Sequence, residues 1–257
     1  MVELDKIGKV FNKGTVDETD LFVDFSLTVR DGEFVSVVGS NGSGKTTMLN
    51  LIAGNISPDR GRILLNGKDV TAQKEFVRAR KIGRVFQDPS KGSSPHMTVA
   101  ENMALAENKG KPFNLTYALN KKRVEYYREM LRPMGLGIEN KMGVKVGSLS
   151  GGQRQVLTLL MATMTPIDVL LLDEHTAALD PKTSEQIMRL TGDIVREKGL
   201  MTIMVTHNLR YAVEYGDRLL MMDKGKSVID KSGEEKQALK VEDLLKTFNE
   251  ISVECGN

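Results

Sequence analysis

The segment Gly39-Ser40-Asn41-Gly42-Ser43-Gly44-Lys45-Thr46 fits the pattern G-x-x-x-x-G-K-[S/T] and stands directly after the almost wholly apolar run Phe34-Val35-Ser36-Val37-Val38. That pairing restricts the fold more than any other feature of the chain. A continuous apolar run reads as a strand covered on both faces. Met48, Leu49, Ile52 and Ala53 follow at helical spacing, and Gly54 marks a helix stop. Strand, glycine loop and helix in this order predict a phosphate-binding loop in an α/β fold. Glycines let successive backbone N–H groups turn inward as an anion nest, and the helix opening near Lys45 adds its unpaired N–H groups and positive dipole end. Lys45 supplies a point charge for the β- and γ-phosphates, and Thr46 a hydroxyl for Mg²⁺.

The rest of the chain divides by periodicity. Residues 23–30 alternate apolar and polar, which predicts a half-buried strand with Val23, Phe25, Leu27 and Val29 on one face. Asp31-Gly32 predicts a turn, and residues 63–65 before Asn66-Gly67 predict another strand and turn. From about 90 to 165 strand patterns give way to helical ones, with residues 109–122 reading as a polar, exposed excursion. After that the β/α alternation resumes: a buried strand at 169–172, a helix at 183–198, a strand at 201–206, a short helix at 209–215 and a hairpin over 218–230 around Asp223-Lys224-Gly225. Residues 241–251 predict an amphipathic helix with Leu244, Leu245, Phe248 and Ile251 on one face. A mostly parallel, helix-covered core is thus expected to be split by a helical insertion, with an antiparallel β element at its N-terminal edge.

Composition removes several classes. Lys plus Arg number 36 against 34 Asp plus Glu, a net charge of +2, without the basic excess of an electrostatic nucleic-acid binder. The single cysteine, Cys255, excludes an intrachain disulfide framework and suits a reducing compartment. The first residues, Met1-Val2-Glu3-Leu4-Asp5-Lys6, lack the apolar core of a signal peptide. The best membrane-span candidate, residues 156–172, contains Pro166 and Asp168 and is too short.

Two further segments bear chemistry. Val169-Leu170-Leu171-Leu172-Asp173-Glu174 is an apolar strand ending in two acids, where a strand of an open α/β sheet meets its ligand crevice. Beside a phosphate loop, Asp173 is the expected metal partner and Glu174 the candidate general base. Leu149-Ser150-Gly151-Gly152-Gln153 precedes the apolar run at 156–160. Ser150 and Gln153 fit a capping box, and the two glycines equally suit close approach of an anion. The pattern alone leaves cap and phosphate contact open.

Together these segments resemble the ATP-binding subunit of an ABC transporter, over nearly the whole chain. Gln87 in Val85-Phe86-Gln87-Asp88-Pro89 resembles the Q-loop glutamine. Residues 149–153 match the family signature without a mismatch, Ala178-Leu179-Asp180 resembles the D-loop, and His207 in Val205-Thr206-His207-Asn208 resembles the switch histidine. Phe11 is placed for the aromatic that stacks on adenine. The resemblance implies a P-loop NTPase cassette. Residues 1–88 and 166–257 would form the catalytic core, and about 89–165 a helical subdomain. It implies ATP contacts from Gly39, Ser40, Asn41, Gly42, Ser43, Gly44, Lys45, Thr46 and Thr47, and Mg²⁺ contacts from Thr46, Gln87 and Asp173. Hydrolysis would be carried by Glu174, His207, Gln87 and Lys45. The resemblance further implies a head-to-tail homodimer, in which Ser150, Gly151, Gly152, Gln153 and Asp180 reach the second nucleotide site. This decides the signature segment in favour of the phosphate contact.

Two departures stand out. His175 replaces the usual proline after the two acids, and Val156 and Met161 replace two arginines of the helix after the signature. His96 has no metal partner at ligand spacing and reads as non-catalytic. The implied function is Mg²⁺-dependent ATP hydrolysis that energises uptake of an amino-acid-like solute. Transmembrane permease subunits would form the path, a solute-binding protein would act indirectly, and this chain would lie peripherally on the cytoplasmic face. The alternative is a non-transport cofactor-assembly ATPase with the same motifs. Translation and DNA-repair ATPases usually carry two cassettes or a long coiled coil, which one phosphate loop without sustained heptads does not match. Glu174 and His207 oppose a catalytically dead module.

Overall fold

The computed structural model describes residues 1–111 and 119–254. In chain order the elements are β1 (Val2–Phe11), β2 (Thr19–Val29), β3 (Phe34–Gly39), α1 (Lys45–Ala53), β4 (Arg60–Leu65), β5 (Lys68–Asp69), α2 (Glu75–Arg78), β6 (Ile82–Val85) and α3 (Val99–Glu107). Then come α4 (Lys121–Leu131), α5 (Gly151–Thr163), β7 (Val169–Asp173), α6 (Pro181–Lys198), β8 (Met201–Val205), α7 (Leu209–Glu214), β9 (Arg218–Asp223), β10 (Lys226–Ser232), α8 (Gly233–Gln237) and α9 (Val241–Glu254).

Two sheets carry the molecule. The larger runs β10-β9-β3-β8-β7-β6, parallel throughout except for the β9–β10 hairpin. Every residue of β3, β7 and β8 is buried, as their largely apolar runs require of strands covered on both faces. Each large apolar side chain so buried contributes about 1.5–3 kcal/mol. The smaller sheet, β2-β1-β4-β5, is antiparallel. A core cluster joins its inner face (Val2, Leu4, Ile7, Phe25) to α1 (Met48, Leu49, Ile52) and the large sheet (Val35, Val37, Leu171). A second cluster lies among α3, α4 and α5, through Met103, Tyr127, Leu131, Val156 and Leu160. Val156 is fully buried there and Met161 packs against the same cluster, so the two positions that departed from arginine serve as core.

Three local expectations are corrected. Val23 is 60% exposed although the alternation placed it inward. Asp24 has φ +53°, and the pairing slips from Ile7↔Phe25 to Lys9↔Phe22. This bulge resets the phase, so Phe22 and Phe25 face the core and stack at 4.8 Å. Leu245 is 47% exposed, while Leu244 is buried and Phe248 packs beside it; the side chain of Ile251 lies outside the described residues. In the excursion, Lys109 is half-buried and its Nζ donates to the Ile82 carbonyl at 3.1 Å, and Lys121 and Lys122 already belong to α4, capped by Asn120. The rest of that segment, 112–118, and Cys255 lie outside the described residues. No helix among the described residues is long and apolar enough to cross a membrane.

Candidate nucleotide site

The phosphate loop leaves β3 at Gly39 and enters α1 at Lys45. Lys45 is almost fully buried, and its Nζ donates to the carbonyls of Gly39 and Ser40, each at 2.8 Å. Burial pushes this ammonium below its usual range, while the carboxylates of Glu174 and Asp173 pull the other way. The loop is held from behind by the β9–β10 turn. Ser40 Oγ donates to Asp223 Oδ1 at 3.0 Å, and the Gly225 N–H donates to the Ser43 carbonyl at 3.0 Å.

Phe11, Asn41, Gly42, Gly44, Lys45, Thr46, Thr47, Glu174 and His207 line one cleft of about 380 Å³, large enough for a small ligand. Phe11 stands at its rim, at the end of β1, with 36% of its surface exposed. The remaining members of the loop pattern, Gly39, Ser40 and Ser43, do not line this cleft. Parallel pairing of β7 with β8 brings Asp173 level with Val205, and so sets Glu174 near His207. His207 Nε2 lies 2.7 Å from Glu174 Oε1. Glu174 has φ +48° and its N–H donates to the Val205 carbonyl at 2.9 Å. A left-handed backbone at a bulky side chain costs of order 1 kcal/mol or more, and here it stands at a strand end beside the phosphate loop and not in a hairpin turn.

On the other side of Thr46 and Asp173 opens a groove of about 690 Å³, shared by Gln87, Arg84, Gly151, Gln155 and His175. Thr46 Oγ1 is 3.4 Å from Asp173 Oδ1. An exposed hydroxyl beside a largely buried carboxylate, both hard oxygen donors at the wall of this groove, fits Mg²⁺, which uses one or two carboxylates and keeps other positions for water and phosphate. Gln87 is exposed in the same groove, and Gln155 Nε2 donates to the carbonyl of its neighbour Phe86 at 3.1 Å.

The signature segment realises the capping box. Ser150 Oγ accepts from the Gln153 N–H and Gln153 Oε1 accepts from the Ser150 N–H, both at 3.3 Å. Gln153 also receives Lys141 Nζ at 3.0 Å and donates to the Leu136 carbonyl at 2.9 Å. Gly152 allows close packing of α5 on α6, since a Cβ there would stand 2.4 Å from Thr183 Cγ2. Ser150 is exposed, and neither it nor Gly152 nor Gln153 lines the cleft that contains Lys45. Asp180 lies apart from that cleft too. Its carboxylate caps α6 by accepting from the Thr183 N–H at 3.0 Å, and hydrogen bonds from the Thr183 side chain and backbone hold it below the usual carboxylate range. His96 is exposed.

Sequence reasoning passed over three residues of the groove, Arg84, Asn50 and Asn55. Arg84 Nη2 reaches Asp173 Oδ2 at 3.0 Å and Nη1 reaches Asn50 Oδ1 and Asn55 Oδ1 at 2.8 and 2.7 Å. The available signal was one charge within the short apolar strand Ile-Gly-Arg-Val, since a buried charge needs a partner.

Residues 22–177 match the family model described as ABC transporter. The chain is 46% identical over 248 residues to the tyrosine transport ATP-binding protein of Clostridioides difficile (strain R20291), covering 96% of this chain and 98% of that one. It is 35% identical to the ABC transporter ATP-binding protein YtrE of Bacillus subtilis (strain 168), over 81% of this chain and 89% of that protein. Among solved structures it resembles a dimeric ATP-binding cassette in a post-hydrolysis state with ADP and Pi, with a TM-score of 0.77 and 30% identity over 90% of this chain and 98% of that chain. With its phosphate loop, Asp173, Glu174 and His207 gathered at one sheet edge, this chain belongs to the ABC transporter family as an ATP-binding, ATP-hydrolysing cassette.

Proposed function

We propose that this chain is the ATPase subunit of an uptake system for tyrosine or a chemically close amino acid, bound peripherally to permease subunits on the cytoplasmic face of the membrane. One observation carries the solute class: the near end-to-end match to the tyrosine transport ATP-binding protein. A solute-binding protein would deliver the amino acid on the far side and act on this chain only through the permease.

In the proposed reaction the ATP triphosphate lies along residues 39–47, with the adenine against Phe11. Glu174 orients water and takes its proton as the water oxygen bonds to the γ-phosphorus, while the bond from that phosphorus to the β,γ-bridging oxygen breaks and ADP leaves. His207, 2.7 Å from Glu174, holds that carboxylate in place and donates toward the γ-phosphate. Lys45 offsets charge growing on the phosphate oxygens. Thr46, Asp173 and Gln87 would hold Mg²⁺, which neutralises charge on the β- and γ-phosphates when bound. Two chains pack head to tail, so that residues 150–153 and Asp180 of a second copy close each nucleotide site. The groove beside Gln87 then receives the permease, and opening and closing of the dimer moves it.

The deciding experiment reconstitutes the chain with its copurifying membrane subunits and binding protein in vesicles. ATP-dependent tyrosine accumulation, and ATPase activity raised severalfold by tyrosine, are expected. Stimulation by a chemically unrelated solute instead of tyrosine overturns the solute class. Recovery of the chain with a soluble scaffold and without membrane subunits overturns the transport reading.

A further inference from the structure

Arg84 is 11% exposed, on a strand whose other residues are buried. Its guanidinium divides its hydrogen bonds between two neutral amide oxygens, those of Asn50 and Asn55, and one carboxylate, that of Asp173. It lies 4.6 Å from the centre of the Phe86 ring, one residue before Gln87. The two Asn contacts come from α1 and the residues just after it, so the guanidinium is fixed to the same helix that begins at Lys45. Asp173 is correspondingly polarised: Oδ2 is held by Arg84 and Oδ1 turns toward Thr46 Oγ1.

A carboxylate this buried needs a compensating cation throughout the ATPase cycle, including the interval with no nucleotide bound. We propose that Arg84 is a positioning residue for Asp173: it supplies that counter-charge, aims Oδ1 at Thr46, and keeps the site from taking a divalent cation before nucleotide arrives. The inference rests on Thr46 and Asp173 being the Mg²⁺ ligands. A hydroxyl, one carboxylate and one amide are a sparse donor set for a metal that gives up water reluctantly. A fixed positive charge on the far oxygen weakens the set further. The triphosphate reverses the balance by adding oxygen ligands and negative charge on the open side. Metal and nucleotide therefore bind together, and Asp173 is already in place when they do.

Mn²⁺ titrations followed by electron paramagnetic resonance test this, with and without a non-hydrolysable ATP analogue. Wild-type protein should bind Mn²⁺ weakly alone and tightly with the analogue, and Asp173→Asn should lose the tight binding. In Arg84→Gln, nucleotide-free Mn²⁺ affinity should rise about tenfold or more, as expected for removing a unit charge a few ångströms from a carboxylate. Arg84→Lys should restore weak binding. Unchanged Mn²⁺ affinity in the Gln variant, or equal affinity in the Gln and Lys variants, overturns the role of Arg84. Analogue-dependent Mn²⁺ binding that ignores Asp173→Asn overturns instead the metal site on which it rests. If Arg84→Gln fails to fold, Arg84→Met takes its place, since it keeps the apolar stem and removes the charge. A rise of severalfold is then expected, and no rise overturns the proposal.

Discussion

Glu174 is held by its backbone as much as by its side chain, because its left-handed φ and its N–H bond to Val205 turn the carboxylate toward His207 and the phosphate loop. Glu174→Gln keeps the shape and removes the proposed base. Turnover should fall by about 10²–10⁴-fold with ATP affinity within about twofold of wild type, read by phosphate release and nucleotide titration. Turnover near the wild-type rate would remove Glu174 as the base. The next residue, His175, has a different task. Thr191 Oγ1 donates to the Ile187 carbonyl at 2.8 Å, so it accepts from His175 Nε2 at 3.2 Å, and the ring is pinned neutral to α6. Complete burial pushes its pKa down from 6.5 to about 4. The unfolded chain therefore takes up this proton first on acidification. The stability that the neutral ring contributes is full above about pH 6.5 and is lost as pH falls toward 4, up to on the order of 3 kcal/mol. His175→Gln should flatten that part of the stability–pH curve, measured by urea unfolding at pH 7 and pH 5. Equal acid sensitivity in both proteins would assign the slope elsewhere. The sequence showed that residue 175 departs from the family pattern, but not what it touches, because Thr191 is 16 positions away and on another element. Arg84 was hidden in the same way: its partners lie on α1, just after it and on β7, which only the parallel pairing brings together.

At the scale of elements, the hydrophobic patterns that reached the right answer were those satisfied within one segment. The largely apolar runs became β3, β7 and β8, and Asp223-Lys224-Gly225 became the β9–β10 turn. The failures came where a neighbour overrode the period. The alternation in β2 breaks at Asp24 because β1 pairs with it through register shifts. The hairpin turn has a consequence that its own sequence does not reveal. Lys224 and Gly225 both have positive φ, the mark of a tight two-residue turn, and a Cβ on Gly225 would stand 1.6 Å from the Leu21 carbonyl. Gly225→Ala must therefore displace backbone at the point where the turn holds Ser43 and Ser40. Destabilisation of about 1–3 kcal/mol is expected, as for other forced overpacking, together with weaker ATP binding. Thermal unfolding and nucleotide titration on the same preparations separate the two effects. Full ATP affinity in a destabilised variant would show that the turn braces the fold and not the phosphate loop.

Over the whole molecule, the cleft around Lys45 and the exposed Ser150 lie apart, although Gly151 shares the neighbouring groove with Thr46 and Asp173. The cleft with Phe11, Lys45, Glu174 and His207 lacks Ser150, and the signature segment presents Ser150 at an exposed helix start. Motif order in the sequence made both halves legible, whereas their separation in one chain is a property of the assembled sheets and helices. The capping box explains Ser150 and Gln153 locally but does not require Ser150 to be exposed, and the proposed head-to-tail dimer does. Ser150→Arg places a bulky cation where the second copy's γ-phosphate would lie against backbone N–H groups. It leaves the chain's own phosphate loop untouched. In a Glu174→Gln background, wild-type Ser150 should give an ATP-dependent dimer by light scattering, and Ser150→Arg should stay monomeric while its ATP affinity as a monomer changes by no more than about twofold. The arginine replaces the Ser150 hydroxyl of the capping box, a loss of about 1 kcal/mol, so a fall in melting temperature is expected and does not by itself decide the matter. A Ser150→Arg protein that still dimerises with ATP would place the dimer contact elsewhere on the cassette.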